Sequence, residues 1–411
     1  MRLKALSDLR LSKKTVLVRT GFDVAVRDGR VEGDYRIADA LPTLRYLVKH
    51  RCRIIVIAHL GRPQGPDHKF SLEPAARRLA ELMERKFVVI EAEQKRLPEY
   101  AVAHVYFFKH SPDSENLSEL LQQLQEGDIA VLENLRFVPG EQKADIGFAK
   151  KLASYAQVYV NEAFSESHRA VASIALLPKL LPPAAGLSLQ REIAALQTVL
   201  RSPKRPVVVM MGGIKLSDKA EALLNLLKIA DFVLLGGGLA NLILKVRGFE
   251  IGKSIYEEDN GQDRIAKQIW RDHREKIILP VDAVVSRERD GDPECVKVDK
   301  VKPGQIILDI GPQTIKLYSD YLKKGQTLVW GGPLGHFESK AYSHGTFALA
   351  WLFAARSASP KVFGVAGGGQ TLEVIGKLDL WRDIDCVSTG GGAMLKFLAG
   401  KILPGIKALE K

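Results

Sequence analysis

Short apolar runs alternate with longer segments of helical period along this chain of 411 residues. Strand-like runs such as TVLVR and IIVIA are followed by segments with the spacing of amphipathic helices, for example 34–49 and 338–356. This alternation is typical of βαβ units and predicts parallel sheets with helices on their faces. Because one hydrophobic core seldom serves more than about 250–300 residues, the length favours two domains. We therefore expect an α/β protein with two lobes.

Five apolar runs in the second half end in glycines: VVVMMGG (207–213), FVLLGGG (232–238), LVWGG (328–332), VFGVAGGG (362–369) and VSTGGG (387–392). A glycine turn at a strand end lets backbone N–H groups approach a phosphate closely, and a following helix adds its positive dipole end. One such turn often serves turn geometry alone. Five of them predict a site for a polyphosphate, although two or three could be simple corners.

In the first half, the apolar runs end at charged side chains: Arg19, His59, Arg62, Arg136, His168 and Arg169. Guanidinium groups suit phosphate and carboxylate because they donate two hydrogen bonds in one plane. A surface salt bridge is the simpler interpretation of any one of them. Their repeated placement at strand ends, which share one edge of a parallel sheet, predicts a site for a smaller anion. The contrast between the halves predicts a two-lobed enzyme that transfers a phosphoryl group.

Composition narrows the class of protein. The formal net charge is +12, with an excess of five in residues 1–180 and of seven in residues 181–411. Because this excess is spread evenly, without a basic stripe, we expect no nucleic-acid partner. We also expect no membrane span, since no apolar run approaches about 18 residues. The three cysteines, Cys52, Cys295 and Cys386, are far apart, form no metal-ligand cluster, and favour a reducing cytoplasm.

Lys215 and Lys219 stand in GGIKLSDK, directly after an apolar run. Phosphoryl transfer needs positioned positive charge, so either lysine is a candidate, although Lys219 could equally be a solvated helix start. The segment does not match a P-loop. Glu338 follows GGPLGHF and could bind ribose hydroxyls or simply lie in the first turn of a helix.

The proline-rich stretch SIALLPKLLPPAAG (173–186) is the predicted domain boundary, and the following helix, 187–200, could connect the lobes. We expect an N-terminal lobe over 1–172, a hinge and interdomain helix over 173–200, and a C-terminal lobe over 201–390. A tail over 391–411 is expected to pack back on the first lobe.

The chain resembles the phosphoglycerate kinases over essentially its full length. The resemblance rests on ordered motifs: VLVRTGFDV, DYRI, AHLGRPQG, LENLRFVPGE, YVNEAFSESHRAVAS, GGIKLSDK, LLGGGLAN, LPVDAVV, LDIGPQT, VWGGPLGHFE, AGGGQT and VSTGGGA. It implies two Rossmann-like lobes joined by a hinge, a monomeric state, and reversible transfer between 1,3-bisphosphoglycerate and MgADP, giving 3-phosphoglycerate and MgATP.

Site residues carry over where the motifs match. The resemblance implies that the first lobe binds phosphoglycerate through Gly21, Phe22, Asp23, Arg36, His59, Leu60, Gly61, Arg62, Arg136 and Arg169. It implies that the second lobe binds ADP or ATP through Gly213, Lys215, Lys219, Gly237, Gly311, Pro333, Glu338, Gly368, Gly369, Gln370 and Thr371. The catalytic group would be Arg36, Lys215, Gly369 and Gly391.

Three departures from the family pattern bear on activity. The family's D-F-N is Gly21, Phe22 and Asp23 here, so the acid expected to bind the substrate hydroxyl is missing. Gln370 stands where the family has a magnesium-binding aspartate, and a neutral amide is a weaker ligand for Mg²⁺. Gly331 replaces an asparagine near the nucleotide. No metal ligand is therefore assigned, and Mg²⁺ is expected to arrive with the nucleotide.

Active phosphoglycerate kinase is the leading hypothesis. The departures keep two others open: a non-catalytic relative that binds phosphoglycerate or nucleotide, and a related kinase with a shifted acceptor. Retention of Arg36, Lys215 and Thr371 argues against the non-catalytic alternative.

Overall fold

The computed structural model describes residues 1–411, with residue 260 described through its backbone only. The chain forms two compact units, Met1–Ile193 together with Ile402–Lys411, and Ala194–Lys401. The boundaries between units thus fall at 193 and 401, whereas the sequence-based divisions lay at 172, 200 and 390. Residues 391–401 accordingly belong to the second unit, and only the last ten residues return to the first.

The first unit is built on seven parallel strands. Their order across the sheet is β5 (Phe87–Ile90), β6 (Val105–Phe108), β7 (Ile129–Leu132), β4 (Arg53–Ile57), β1 (Thr15–Arg19), β8 (Val158–Asn161) and β9 (Pro183–Ala185). Successive residues of a strand face opposite sides, so Val16 and Val18 pack into one core and Leu17 into another. Burial on both faces explains why these strands are continuous apolar runs.

Helices cover this sheet. They are α1 (Tyr35–Lys49), α2 (Glu73–Leu82), α3 (Leu117–Gln122), α4 (Pro139–Gln142), α5 (Ile146–Ala153) and α6 (Leu177–Leu180), with a separate hairpin of β2 (Ala25–Arg27) and β3 (Arg30–Glu32). Helix α7 (Leu187–Arg201) crosses the boundary between the units in sequence.

The returning tail completes the first unit. The backbone N–H of Gly405 donates to the Ser167 carbonyl over 2.9 Å, and that of Lys4 donates to the Leu409 carbonyl over 2.8 Å. A Cβ on Gly405 would lie 3.0 Å from the Ser167 Cα, so the close approach requires glycine. The last helix of the chain, numbered α15 (Pro404–Lys407), lies in this tail.

A six-stranded parallel sheet forms the second unit. Its order is β12 (Ile277–Ile278), β11 (Phe232–Leu235), β10 (Val207–Met211), β16 (Thr327–Gly331), β17 (Phe363–Gly367) and β18 (Cys386–Ser388). The five glycine-ended runs are five neighbouring strands of this one sheet. The predicted α/β class with parallel sheets is confirmed.

The remaining helices are α8 (Ala220–Ile229), α9 (Gly237–Val246), α10 (Asn260–His273), α11 (Pro312–Lys324), α12 (His344–Ser357), α13 (Gly369–Lys377) and α14 (Gly391–Leu398). A small antiparallel sheet of β14 (Glu294–Lys297), β13 (Asp282–Ser286) and β15 (Ile306–Ile310) was not predicted. Among the described residues, no helix has the combined length and apolarity that a bilayer crossing demands.

The helix predicted over 338–356 starts later than expected, at His344. The buried Asp309 carboxylate accepts a hydrogen bond of 2.7 Å from the Gly345 N–H, which satisfies a free donor in the first turn and favours a start there. Glu338 therefore lies in the loop before α12 and is not a first-turn charge.

Candidate active site

Basic side chains converge at the C-terminal edge of the first sheet. They follow β7, β4, β1 and β8, which are consecutive in the sheet although distant in sequence. Arg36 joins them from the first turn of α1. We call Arg19, Arg36, His59, Arg136 and Arg169 the basic cluster. Strand order thus brings together charges that the sequence places as far apart as 19 and 169.

Arg19 is a supporting member of the basic cluster, since only 1% of it is exposed. Its guanidinium donates to the Ser173 hydroxyl (2.9 Å), to the Thr20 carbonyl and to Nδ1 of His59 (2.9 Å). Because arginine can only donate, Nδ1 of His59 is the acceptor and Nε2 carries the hydrogen. Arg19 therefore fixes the orientation of the imidazole rather than offering a free charge to a ligand.

His59 faces two carboxylates. Its Nε2 lies 3.7 Å from Oδ2 of Asp23 and 3.6 Å from Oε1 of Glu166, both longer than a hydrogen bond. Burial lowers the pKa of His59, against the opposing effect of Asp23. Asp23 also accepts from the Gly61 N–H over 2.9 Å and lies 3.9 Å from Arg36. Burial alone would raise the pKa of Asp23, but the contacts with His59, Gly61 and Arg36 hold it well below its usual range.

Glu166 is the residue that the sequence reasoning missed. It ends a short 3₁₀ turn after β8, Phe164–Glu166, and only 5% of it is exposed. Its Oε2 lies 3.1 Å from Nη2 of Arg136, and its Oε1 lies 3.4 Å from Nε of Arg169. The motif SESHR contains both this acid and Arg169, whereas Arg136 reaches it only through the sheet order β7, β4, β1 and β8.

The loop after β4 is held by Asn134, which is fully buried. Its amide donates to the carbonyls of Leu60 and Phe70, each over 2.8 Å. Gly61 has a φ of +61°, and a Cβ there would lie 2.4 Å from the Phe70 ring, so the turn requires glycine. The Gly61 carbonyl in turn accepts from Nη1 of Arg136.

The other residues predicted to bind substrate lie in different surroundings. The side chains of Phe22 and Leu60 belong to the hydrophobic core, so only their backbone faces the loops. Arg62 is exposed. A Cβ on Gly21 would lie 3.2 Å from the Ser165 hydroxyl, which places the position of the missing acid beside the turn that carries Glu166.

In the second unit, backbone rather than side chains forms the sheet edge. We call the turns after β10, β11, β16, β17 and β18 the glycine edge. A Cβ on Gly212 would lie 1.9 Å from the Pro333 carbonyl oxygen, and one on Gly237 would lie 3.2 Å from the backbone of Gly213. A Cβ on Gly391 would lie 3.5 Å from the Gly369 nitrogen. Backbone atoms of neighbouring turns therefore approach closely, and the N-termini of α9, α13 and α14 lie at the same edge.

Lys219 fills the centre of the glycine edge. Its Nζ donates to the Gly212 carbonyl and lies 3.4 Å from the Gly331 carbonyl oxygen, and burial lowers its pKa to about 8. Lys219 is therefore not a solvated charge at a helix start, since its ammonium group contacts two backbone carbonyls. Lys215, by contrast, is exposed and makes no hydrogen bond or ion pair to any described residue.

The turn after β17 leads directly into α13. Gly368 precedes the helix, and Gly369 and Thr371 lie in its first turn. Gly368 has a φ of +110°, which favours glycine, whereas nothing lies within 4 Å of a Cβ on Gly369. The Thr371 hydroxyl is buried and accepts from the Gly332 N–H over 2.8 Å. That bond ties the β17 turn to the β16 turn.

A cleft opens beside the glycine edge, with a wall of apolar side chains and a rim of polar ones. Five residues predicted to bind nucleotide line it, namely Gly213, Gly237, Pro333, Glu338 and Gln370. Its apolar wall includes Ala240, Leu244, Ile255, Val298, Leu308 and Leu334. Such a slot suits a flat heterocycle, with backbone amides nearby for attached phosphates.

Gly311 has a different position from the one expected. Gly311 is not one of the described residues that line the cleft. A Cβ there would lie 2.3 Å from the buried Asp282 carboxyl carbon, and that carboxylate accepts from the N–H groups of Gln313 (2.9 Å) and Thr314 (2.7 Å) at the start of α11. The need for glycine at this position therefore has a structural cause.

The rim of the cleft carries a chain of polar contacts. Nε of Arg289 lies 3.4 Å from Nε2 of His336, whose Nδ1 lies 3.0 Å from Oε2 of Glu338. The other oxygen of Glu338 accepts from the Gln370 amide over 3.4 Å. Sequence reasoning named Glu338 and Gln370 but not His336 and Arg289, which lie behind them.

These residues do not fit a Mg²⁺ ion held by the protein. Glu338 is the one carboxylate in contact with Gln370, and its oxygens are shared with His336 and the Gln370 amide. Among the described residues, no group of three His, Cys, Asp or Glu side chains has metal-binding geometry. Mg²⁺ commonly binds through one or two carboxylates plus substrate phosphates, so a metal here depends on the nucleotide.

Comparison with known proteins places both units in one family. The family model described as phosphoglycerate kinase matches residues 6–401. Phosphoglycerate kinase of Moorella thermoacetica is 42% identical over 412 residues, covering 99% of this chain and 98% of that protein. The corresponding protein of Chelativorans sp. is 40% identical over 415 residues, covering 99% of each.

Solved structures agree. Phosphoglycerate kinase from Coxiella burnetii matches with a TM-score of 0.81 at 35% identity, covering 99% of both chains. That from Pyrococcus horikoshii OT3 matches with a TM-score of 0.82 at 29% identity, covering 99% of this chain and 98% of that one. With its basic cluster, its glycine edge and this full-length similarity, the chain belongs to the phosphoglycerate kinase family.

Proposed function

We propose that this chain is an active phosphoglycerate kinase of glycolysis and gluconeogenesis. It transfers a phosphoryl group reversibly from the acyl phosphate of 1,3-bisphosphoglycerate to MgADP, giving 3-phosphoglycerate and MgATP. The observation that carries the proposal is the pairing, in one chain, of a cationic sheet edge with a backbone-lined one. The first suits a small phosphorylated acid and the second a polyphosphate.

In the first unit, the proposal assigns phosphoglycerate to Arg36, His59, Arg62, Arg136 and Arg169. Guanidinium forks bind phosphate and carboxylate in two parallel hydrogen bonds. Arg19 and Asn134 act indirectly, since they hold His59 and the loop after β4 in place. Gly21, Phe22, Asp23, Leu60 and Gly61 shape the same loops.

In the second unit, the nucleoside lies in the cleft, with Glu338 at the ribose and Pro333 beside it. Backbone amides of Gly213, Gly237, Gly368 and Gly369 face the phosphates, together with Lys219, Gln370 and Thr371. A phosphate near Lys219 would offset the burial that lowers its pKa, and so would favour its charged form. Gly311 supports the cleft from behind through its contact with Asp282.

The chemistry follows from position and charge. The transferred group develops negative charge on its oxygens and needs no covalent intermediate with the protein. We assign Arg36 and Lys215 to that charge, because Lys215 is exposed and uncommitted and Arg36 is held only loosely by Asp23. Gly369 and Gly391 contribute the N-termini of α13 and α14. Mg²⁺ is part of the substrate, bound mainly by nucleotide oxygens and water.

The test is phosphoryl transfer from MgATP to 3-phosphoglycerate in a coupled assay, comparing the wild type with Lys215→Ala. We expect the variant to lose at least about 100-fold in kcat while its KM values change little, because Lys215 acts on the transition state. Lys267→Ala is the matched control, since Lys267 is an exposed lysine on α10 of the same unit.

Equal losses in kcat and in substrate affinity would contradict the role given to Lys215. Wild-type protein that binds both ligands without turnover at any Mg²⁺ concentration would overturn the kinase proposal itself. Turnover with a different carboxylic acid but not with 3-phosphoglycerate would replace it with a shifted acceptor.

The proposal extends to a monomer in the cytoplasm with no nucleic-acid or membrane partner. None of the three cysteines forms a disulfide among the described residues, and Cys52 and Cys386 are buried, which suits a reducing compartment. Light scattering after size-exclusion chromatography at two salt concentrations tests the monomer, and a mass of twice one chain would overturn it.

A further inference from the structure

Glu166 occupies the basic cluster in the position of a bound anion. Its two carboxylate oxygens are divided among three cations or potential cations: Arg136 at 3.1 Å, Arg169 at 3.4 Å and His59 at 3.6 Å. These are three of the residues to which the proposed function assigns phosphoglycerate. The cluster therefore already holds a carboxylate supplied by the protein.

The contact between Arg136 and Glu166 affects how an anionic ligand can bind. Its Nη1 donates to the Gly61 carbonyl and its Nη2 to Glu166, and only 5% of its side chain is exposed. A guanidinium binds phosphate best through a free edge with two parallel N–H groups. Nη1 and Nη2, which form one such edge of Arg136, are engaged with Gly61 and Glu166, so an anion that binds through this edge has to take over the Glu166 contact.

The surroundings keep Glu166 charged. Burial alone would raise its pKa, but the neighbouring His59 imidazole and the positive charges of Arg19, Arg169 and Arg136 hold the pKa below its usual range. The other acid at the cluster, Asp23, lies 3.9 Å from Arg36 and 3.7 Å from His59. Glu141 lies behind the cluster and bonds Ser173, so it does not compete for Arg136.

We propose that Glu166 is an internal counter-ion that the anionic substrate displaces from Arg136 and Arg169, and that it thereby sets the affinity of the basic cluster for anions. The inference rests on the proposed function for the identity of the substrate. It makes Glu166 a specificity-determining residue, because a ligand has to bind the arginines more strongly than the resident carboxylate does.

The proposal separates two quantities that a purely structural role would move together. Removing the charge of Glu166 leaves the unliganded cluster with uncompensated positive charge, which lowers the stability of the free protein. With the charge removed, an incoming anion no longer has to displace a carboxylate from the arginines, so the affinity of the basic cluster for the anion rises. Stability without ligand and stabilisation by ligand therefore shift in opposite directions.

The experiment compares wild type with Glu166→Gln, which keeps the shape of the side chain and removes its charge. Binding of 3-phosphoglycerate is measured calorimetrically without nucleotide, and the melting temperature is followed against inorganic phosphate. We expect affinity for 3-phosphoglycerate to rise about tenfold, a lower melting temperature without ligand, and a larger stabilisation by phosphate. In turnover, KM for 3-phosphoglycerate should fall while kcat stays within about twofold.

Glu126→Gln is the matched control. Glu126 also bridges two cations, Lys13 at 3.3 Å and Arg51 at 2.5 Å, in the same unit but outside the basic cluster. It should leave anion binding unchanged. Unchanged or weaker binding of both anions by Glu166→Gln would overturn the proposal, as would an equal gain in the control.

Should Glu166→Gln fail to fold, Glu166→Asp keeps the charge but shortens its reach to Arg136. Anion binding tighter than wild type supports the proposal, and unchanged or weaker binding refutes it. The outcomes remain distinct from those for the proposed function. Wild type that binds 3-phosphoglycerate without turnover refutes the kinase and leaves the counter-ion test intact, whereas normal turnover with no gain in Glu166→Gln refutes the counter-ion alone.

Discussion

The two sheet edges of this protein present positive potential to ligands in different ways. The first unit uses side chains of arginine and histidine, and balances them with Asp23 and Glu166. The second unit uses backbone amides and helix N-termini, with Lys219 held among carbonyls. Both edges lie at the C-terminal ends of parallel strands, so the same architecture supports both solutions.

The difference lies in what each edge tolerates. A side-chain site can be tuned by substitution, because its charges and counter-ions are independent residues. A backbone site depends on close approach between turns, which leaves no room for a Cβ. We therefore expect changes in the first unit to alter ligand affinity, and many changes in the second to alter folding.

Gly212→Ala should break the second edge most severely. The added Cβ would lie 1.9 Å from the Pro333 carbonyl oxygen, so the backbone of one turn has to move. We expect a loss of about 3 kcal/mol in the free energy of unfolding, at the upper end of overpacking effects, measured by urea denaturation.

Gly369→Ala is the comparison within the same edge. Nothing lies within 4 Å of a Cβ at this position, which opens α13, so its unfolding free energy should equal or slightly exceed that of wild type. If both variants lose stability equally, close packing of the turns is not what requires glycine there.

Arg136→Lys tests the side-chain edge. Lysine keeps the charge but lacks the fork that reaches both Gly61 and Glu166. We expect KM for 3-phosphoglycerate to rise about 10- to 100-fold, the equivalent of about 1.5–3 kcal/mol for a charge-assisted hydrogen bond. Arg53→Lys is the control. Arg53 lies in the same unit and, like Arg136, donates to two acceptors, which are the backbone carbonyls of Leu124 and Lys13. A KM unchanged from wild type would remove Arg136 from the binding site.

Gln370→Asp adds a side-chain charge to the backbone edge, and we expect its effect on turnover to be smaller than that of Arg136→Lys. An aspartate here would offer nucleotide-bound Mg²⁺ a carboxylate oxygen where the wild type offers only a neutral amide. We expect the Mg²⁺ concentration for half-maximal turnover to fall about three- to tenfold. Gln326→Asp, exposed in the same unit, should not change it. Identical Mg²⁺ dependence in all three proteins would show that position 370 does not influence the metal.

The edges themselves could be predicted because each depends on local pattern. An apolar run that stops at glycine or at arginine shows where a strand ends, and parallel strands end on the same side. The five runs beginning near Val207, Phe232, Leu328, Phe363 and Val387 are indeed strands of one sheet.

What could not be predicted depends on contacts between distant segments. Arg19 and Arg136 look alike in sequence, but Arg19 bonds Ser173 and His59, whereas Arg136 bonds Gly61 and Glu166. Glu166 meets Arg136 only because the sheet order β7, β4, β1 and β8 brings their loops together. His336 gains its neighbour Arg289 from the unpredicted antiparallel sheet region. The late start of α12 depends likewise on Asp309, whose pKa burial raises to about 7.

The returning tail has a consequence for biosynthesis. Ser167, the residue after Glu166, accepts a backbone hydrogen bond from Gly405, and Lys4 donates one to Leu409. A ribosome makes the whole of residues 194–401 before it adds these partners. The nascent chain can therefore complete the second unit first, and the first unit acquires its contacts with the tail only when residues 402–411 emerge.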